Sequence, residues 1–309
     1  MGRFSPRVAA LAETLGFVGV FLVTAAGVTW AAHAMLPGMF SGAGRAGGSI
    51  GGDNVPAITI GAVAPVLVAA LMVTWLFATR WFRVPPLTAF EQTGLPVRLR
   101  ALVSASTGFA FGSVLVGLVV GVMAIAGWVS WQPSSEPGSP ASAAVWLGGV
   151  LLLAAAVEEV LLRGHPFQLL KSRFSSAAAV ITTSLVFGLL HAANPGVTPS
   201  ALVNISLAGV LLGVAVLRTG SLWFAIGVHT GWNWIMAVSG LVVSGLPADM
   251  PRSEAVVSGP VFWTGGSFGP EGGMTVTLVI LLGIAVVARM GPGRAGERRH
   301  ILRNSGRNE

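Results

Sequence analysis

Apolar stretches long enough to cross a lipid bilayer recur from one end of this sequence to the other, and no other feature restricts its fold so far. A helix needs roughly 20 predominantly apolar residues to traverse the hydrocarbon core. Residues 14–36, 57–78, 101–128, 144–170, 176–192, 201–217, 222–243 and 274–288 approach or exceed that length. The expectation is an all-α fold, a polytopic transmembrane helix bundle of about eight spans. Of the 309 residues, 53% are hydrophobic and 9% are charged. Soluble domains carry about 25% charged residues, so an ordinary soluble fold is excluded. The first apolar run follows a basic start and ends in Ala32-His33-Ala34, which imitates a signal-peptide cleavage site. It is longer than the ~7–15 residues of a signal core and reads as a retained span.

A net charge of +7 would suggest nucleic-acid binding in a soluble protein. Here the basic residues sit in short loops and in the tail, where they act as topology signals, so no nucleic-acid partner is expected. Arg3 and Arg7 mark one side of the membrane. With eight spans the same side receives Arg80, Arg83, Arg98, Arg100, Lys171, Arg173, Arg218, Arg289 and the arginines at 294–307, while Arg45 and Arg252 fall opposite. Both termini therefore read as cytoplasmic. The Gly-rich stretch 41–53, the Pro/Ser/Gly stretch 132–142 and much of 244–273 read as surface loops without packed structure of their own. The chain has no cysteine, which excludes disulfides, thiol nucleophiles, zinc–thiolate sites and cysteine lipidation.

An ionisable side chain deep in a span costs several kcal/mol unless it is paired or hydrated, so the few present are functional candidates. The fourth span holds Glu158, Glu159 and Arg163, the fifth His191, and the seventh His229 followed by Asn233. Glu13, His33 and His165 lie nearer interfaces or loops: Glu13 reads as a first-turn carboxylate or headgroup neighbour, and His33 and His165 as interfacial histidines. At ~1.5 Å per residue from the nearest cytoplasmic turns, Glu158 lies ~20 Å deep, His191 ~24 Å, His229 ~14 Å and Asn233 ~20 Å, so the four can share a layer. Pro166 is expected to bend the lower part of the fourth helix.

Neighbours on a helix point about 100° apart, whereas residues four apart share a face. Glu158 and Glu159 therefore face differently. Glu159 precedes Arg163 by four, the favourable order for an ion pair that neutralises both charges, so this pair is expected to be structural. Glu158 has no such partner on its own helix and is the better general base. His229 and Asn233 share a face, so the imidazole can act as donor or ligand while the amide donates to a developing oxyanion.

Three motifs carry a family resemblance: Glu158-Glu159-x-x-x-Arg163, Phe187-x-x-x-His191 and His229-x-x-x-Asn233, in that order and each in an apolar span. The sequence resembles the CPBP family of intramembrane proteases, which includes the type 2 CAAX prenyl endopeptidases, bacteriocin-processing and immunity proteins and the group labelled Abi. Gly164 and Asn194-Pro195 add to the likeness. The resemblance implies hydrolysis of a peptide bond within the membrane, with Glu158 activating water, His191 assisting, and His229 with Asn233 steadying the tetrahedral intermediate. It also implies three regions: N-terminal spans and loops at 1–143, a catalytic helical core at 144–243, and an extracytoplasmic loop, last span and basic cytoplasmic tail at 244–309. The family is conventionally one of metalloendopeptidases. Glu158, His191 and His229 would suit a divalent metal such as zinc with an open water position. They would equally suit metal-free activation of water by a glutamate–histidine pair.

Phe187 reads as packing beside the site, Asn204 as a hydrogen-bonding residue in the sixth span, and Trp81, Trp128, Trp131 and Trp223 as interfacial anchors. Trp232 and Trp234 flank Asn233 and could wall a cavity. Gly209 and Gly213 form a small-residue pair for close helix approach. The expected partners are membrane lipids, which the basic tail can also contact, and a peptide or membrane-protein substrate. An Arg-rich, cysteine-free chain suits a bacterial plasma membrane. The alternative from another class is a transporter or scaffold that binds a proton or cation through the Glu/His cluster, but the inverted repeats and interrupted spans of transporters are missing from the sequence.

Overall fold

The computed structural model describes residues 99–135, 138–248 and 250–291, preceded by residues 5, 8–9, 12–17, 19–20, 68–69, 71–77, 79–80 and 91–96. Most of the first two expected spans, His33, Trp81, the stretch 41–53 and the basic tail beyond 291 lie outside the described residues.

From residue 99 onward the chain is a bundle of apolar helices. Helix α1 is Leu99–Ile125, α2 Pro140–Arg163, α3 His165–Arg173, α4 Ser176–Leu190, α5 Pro199–Thr219, α6 Leu222–Val238, α7 Val261–Thr264 and α8 Met274–Arg289. Local chemistry sets the boundaries. Ser139, Ser175, Thr198 and Ser221 accept N-cap hydrogen bonds from the first turns of α2, α4, α5 and α6, and Pro140 and Pro199 open their helices where a missing N–H costs nothing. Gly220, at φ 67°, closes α5 in the left-handed conformation.

Three segments are long and apolar enough to cross a membrane, Leu99–Ile125, Pro140–Arg173 and Pro199–Thr219, and Ser176–Leu190 and Met274–Arg289 are shorter apolar helices. Large aliphatic side chains such as Leu102, Val114, Ile181, Leu189, Val203 and Leu278 point outward, the distribution of a protein whose solvent is lipid. Helix α6 has 17 residues, shorter than the ~20 of a typical span. Its walls are protein: twelve of its residues are buried.

Helix α6 is the axis of the bundle and lies against α1, α2 and α5. Its closest approach is to α1, through two pairs of glycines. A Cβ on Gly108 would sit 2.2 Å from the carbonyl oxygen of Phe224, and one on Gly227 would sit 2.1 Å from that of Ala105. Gly112 and Gly231 repeat this one turn further on. The α6 backbone therefore touches α1 on its glycine face, which leaves His229 and Asn233 to point elsewhere.

The bend expected at Pro166 is sharper than a kink, and the fourth span is not one continuous helix: Gly164 (φ −72°, ψ −123°) breaks the chain between α2 and α3. Pro166, which cannot donate to the carbonyl four residues back, forces the break just below Arg163. Nor is the segment 244–273 a structureless surface loop, and the described fold is not purely helical. Strand β1 (Val129–Gln132) pairs antiparallel with β2 (Glu254–Val257), since both are short, rich in β-branched or aromatic residues and free of glycine. After β2 come α7 and two 3-10 turns, Gly266–Phe268 and Pro270–Gly272, and Phe268 and Glu271 are buried against the bundle.

Candidate active site

At the C-terminal end of α2, Glu159 and Arg163 are fully buried, and Arg163 Nη1 donates to Glu159 Oε1 at 2.9 Å. The second guanidinium nitrogen donates to the carbonyl of Gly209 at 3.1 Å. That contact exists because α5 has no side chain there: a Cβ on Gly209 would come within 2.8 Å of the Ser184 backbone. The guanidinium lies over the Phe187 ring, with Cζ 4.6 Å from the centroid, a cation–π contact. The same ring meets His229 edge-on at 5.6 Å and His191 at 4.9 Å. Phe187 thus joins the brace to both histidines, which is more than generic packing.

Glu159 does more than neutralise Arg163. Its Oε1 also accepts from His229 Nδ1 at 3.1 Å. A carboxylate on Nδ1 fixes the tautomer and the ring plane, and leaves Nε2 as the working nitrogen. That nitrogen faces Glu158, whose Oε2 lies 3.9 Å away. The distance is too long for a direct hydrogen bond, and Glu158 Oε2 has no partner among the described residues. The Glu158 side chain is 33% exposed, in contrast to its fully buried neighbour.

His191 stands one residue beyond the end of α4, where its Nδ1 bonds the Phe187 carbonyl at 2.8 Å. A carbonyl can only accept, so Nδ1 carries the proton and Nε2 is an acceptor. His191, His229 and Asn233 line one pocket, with a wall formed by Phe187, Ile205, Leu212, Val228 and Trp232. The Asn233 side chain makes no hydrogen bond among the described residues. Glu158 is not among the pocket-lining residues and meets the group through His229. No group of three or more His, Cys, Asp or Glu side chains among the described residues is arranged to hold a metal ion. Glu158, His191 and His229, the residues expected to hold a metal, are not gathered into such a group.

His165 is not interfacial: it is fully buried, its Nε2 lies 3.2 Å from Glu13 Oε1, and its ring packs against Phe17 and Phe77. Glu13 is correspondingly a tie between the first helical segment and α3. Trp232 walls the pocket, but Trp234 turns away from it and donates to the Ala144 carbonyl at 2.8 Å. Asn204 hydrogen-bonds the backbone at Glu271 and Gly273. The sequence reading missed Glu271 altogether. It is 4% exposed, lines the same pocket, and bonds Trp232 and Ser244. A lone glutamate in a Gly-rich stretch carries no periodic signal, and the clue available was its place just before the last apolar run.

Residues 140–235, about a third of the chain, match a protein-family model described as Type II CAAX prenyl endopeptidase Rce1-like. All three motifs, from Glu158 to Asn233, lie inside that segment. No curated protein and no solved structure matches the chain.

Proposed function

We propose that this chain, whose match supports assignment to the CPBP/CAAX proteases, is an intramembrane endopeptidase working with a water held between Glu158 and His229. The observation that carries the reading is the pairing of those two groups: Glu158 Oε2 and His229 Nε2 are 3.9 Å apart, and Glu159 fixes the ring from behind. One water can donate to the carboxylate and meet the imidazole across such a gap.

Glu158 takes a proton from this water as the oxygen adds to the carbonyl carbon of the substrate. The Asn233 amide donates to the developing oxyanion, and His229 Nε2 supports it when that nitrogen bears a proton. His191 Nε2, an acceptor, orients the water. The C–N bond then breaks as the proton passes from Glu158 to the leaving amine, which yields a carboxylate and an amine. Arg163 and Phe187 hold Glu159 and the two rings in place.

The spans surround this chemistry with lipid. The arginine distribution supports eight spans with both termini cytoplasmic, in a bacterial plasma membrane, and a peptide or membrane-protein segment as substrate. The test is reconstitution of the full chain in lipid with transmembrane peptides, with products read by mass spectrometry and metal content measured on the same preparation. Cleavage that survives chelation supports the glutamate–histidine route. Loss on chelation with recovery on added zinc would replace it with a metal route, and cation binding without cleavage of any peptide would favour the transporter or scaffold reading.

A further inference from the structure

Glu271 lies outside the segment shared with the protease family, yet its side chain closes the pocket. Its carboxyl oxygens receive three donors. Trp232 Nε1 donates to Oε1 at 3.0 Å, and the backbone N–H and hydroxyl of Ser244 donate to Oε2 at 2.6 and 2.8 Å. All three are neutral, and they require a group that accepts on both oxygens. Glutamine would satisfy one side and oppose a donor to a donor on the other.

The partners of these donors reach the chemistry from two directions. Trp232 is adjacent to Asn233 on α6. Ser244 is held in the left-handed conformation at φ 48°, and its carbonyl accepts from Asn194 Nδ2 at 2.8 Å. Asn194 belongs to the turn that begins at His191, since its N–H bonds the His191 carbonyl at 3.0 Å. The chain of bonds Trp232–Glu271–Ser244–Asn194 therefore ties the Asn233 helix to the His191 turn around the rim of the pocket. The Glu271 backbone is itself anchored, because Asn204 Nδ2 donates to its carbonyl at 2.8 Å and Thr277 donates to Asn204 Oδ1 at 2.7 Å.

We infer that Glu271 is a positioning residue of this site: it sets the spacing between His191 and Asn233 and latches the segment 244–273 over the pocket. The inference rests on the proposed protease reading for its kinetic part and stands on geometry alone for the latch. In the full chain in lipid, Glu271→Gln lowers kcat about 10- to 100-fold, the cost of a small misplacement of reacting groups. KM stays within about twofold, because both carboxyl oxygens of Glu271 are taken by Trp232 and Ser244. Trp232→Phe, which removes the indole donor, causes a comparable loss, and the double variant is no worse than the poorer single one. Glu271→Asp, which keeps both acceptors, recovers part of kcat.

A second readout needs no activity. The chain has no cysteine, so Ala208→Cys places a single thiol in the pocket wall. Its maleimide labelling is about 10-fold faster or more when Glu271→Gln is added, measured well below the unfolding midpoint of both chains. Unchanged labelling overturns the latch. An unchanged kcat, additive losses, or a rise in KM alone overturns the positioning role. If the parent chain cleaves no peptide, the protease reading fails and the labelling result still decides the latch.

Discussion

The helical core and the segment 244–273 meet at one pocket, yet they are ordered by different physics. In the core, α1 and α6 come together through Gly108, Gly112, Gly227 and Gly231, whose missing side chains let backbones touch, and the polar groups are gathered into one brace around Glu159. In the segment, order comes from side chain to backbone hydrogen bonds centred on Glu271 and Asn204, from glycines at positive φ and from the two-stranded ribbon of four residue pairs with β1. The first is dictated by periodic sequence, the second by partners that come from elsewhere in the chain. Perturbing the core should cost stability, whereas perturbing the segment should cost geometry at the pocket.

The largest expected effect is at the brace. Arg163→Ala leaves Glu159 buried without its partner, and breaking one side of a buried pair costs about 3–5 kcal/mol. Unfolding in mild detergent measures this, and a loss below about 1 kcal/mol would mean that His229 alone suffices for Glu159. Gly227→Ala comes next. Its Cβ would meet the Ala105 carbonyl at 2.1 Å, so the helices must separate at a cost of about 1–3 kcal/mol. The segment offers a comparable number. Asn204→Ala strands the Glu271 and Gly273 carbonyls at about 1–3 kcal/mol, and its effect on kcat should exceed that of Gly227→Ala at equal stability. Arg252→Gly is the mildest, because Arg252 already has φ 65°, and relief of that strain should raise stability by at most about 1 kcal/mol. A destabilisation there would show that the Arg252 side chain holds the loop.

The contrast also explains what could be read in advance. The Glu159–Arg163 pair follows from a spacing of four, whereas the capped helix starts at Ser139-Pro140 and Thr198-Pro199 lie ahead of the spans expected from 144 and 201, because apolar length does not register a hydroxyl cap. The bond from Glu159 to His229 crosses between α2 and α6, and no spacing within one helix announces it. The same holds for His165, whose adjacent proline suggests an interface although Glu13, Phe17 and Phe77 enclose it. Glu271 is the extreme case. Its neighbours are Gly269, Pro270, Gly272 and Gly273, which predict a turn, and its burial depends on donors from α6 and from Ser244. Apolar length locates the spans, because lipid acts on every residue of a helix alike. Cross-links between distant elements leave no such pattern.

The central claim is that Glu158, the half-buried carboxylate of the pair, activates water while Glu159, the fully buried one, orients His229. The direct measurement is cleavage of a transmembrane peptide by Glu158→Gln in the reconstituted full chain, with the unfolding midpoint taken on the same sample. A fall of about 10²–10⁴-fold in kcat, the typical contribution of a general base, at an unchanged midpoint is the predicted result. Full activity in that variant would contradict it.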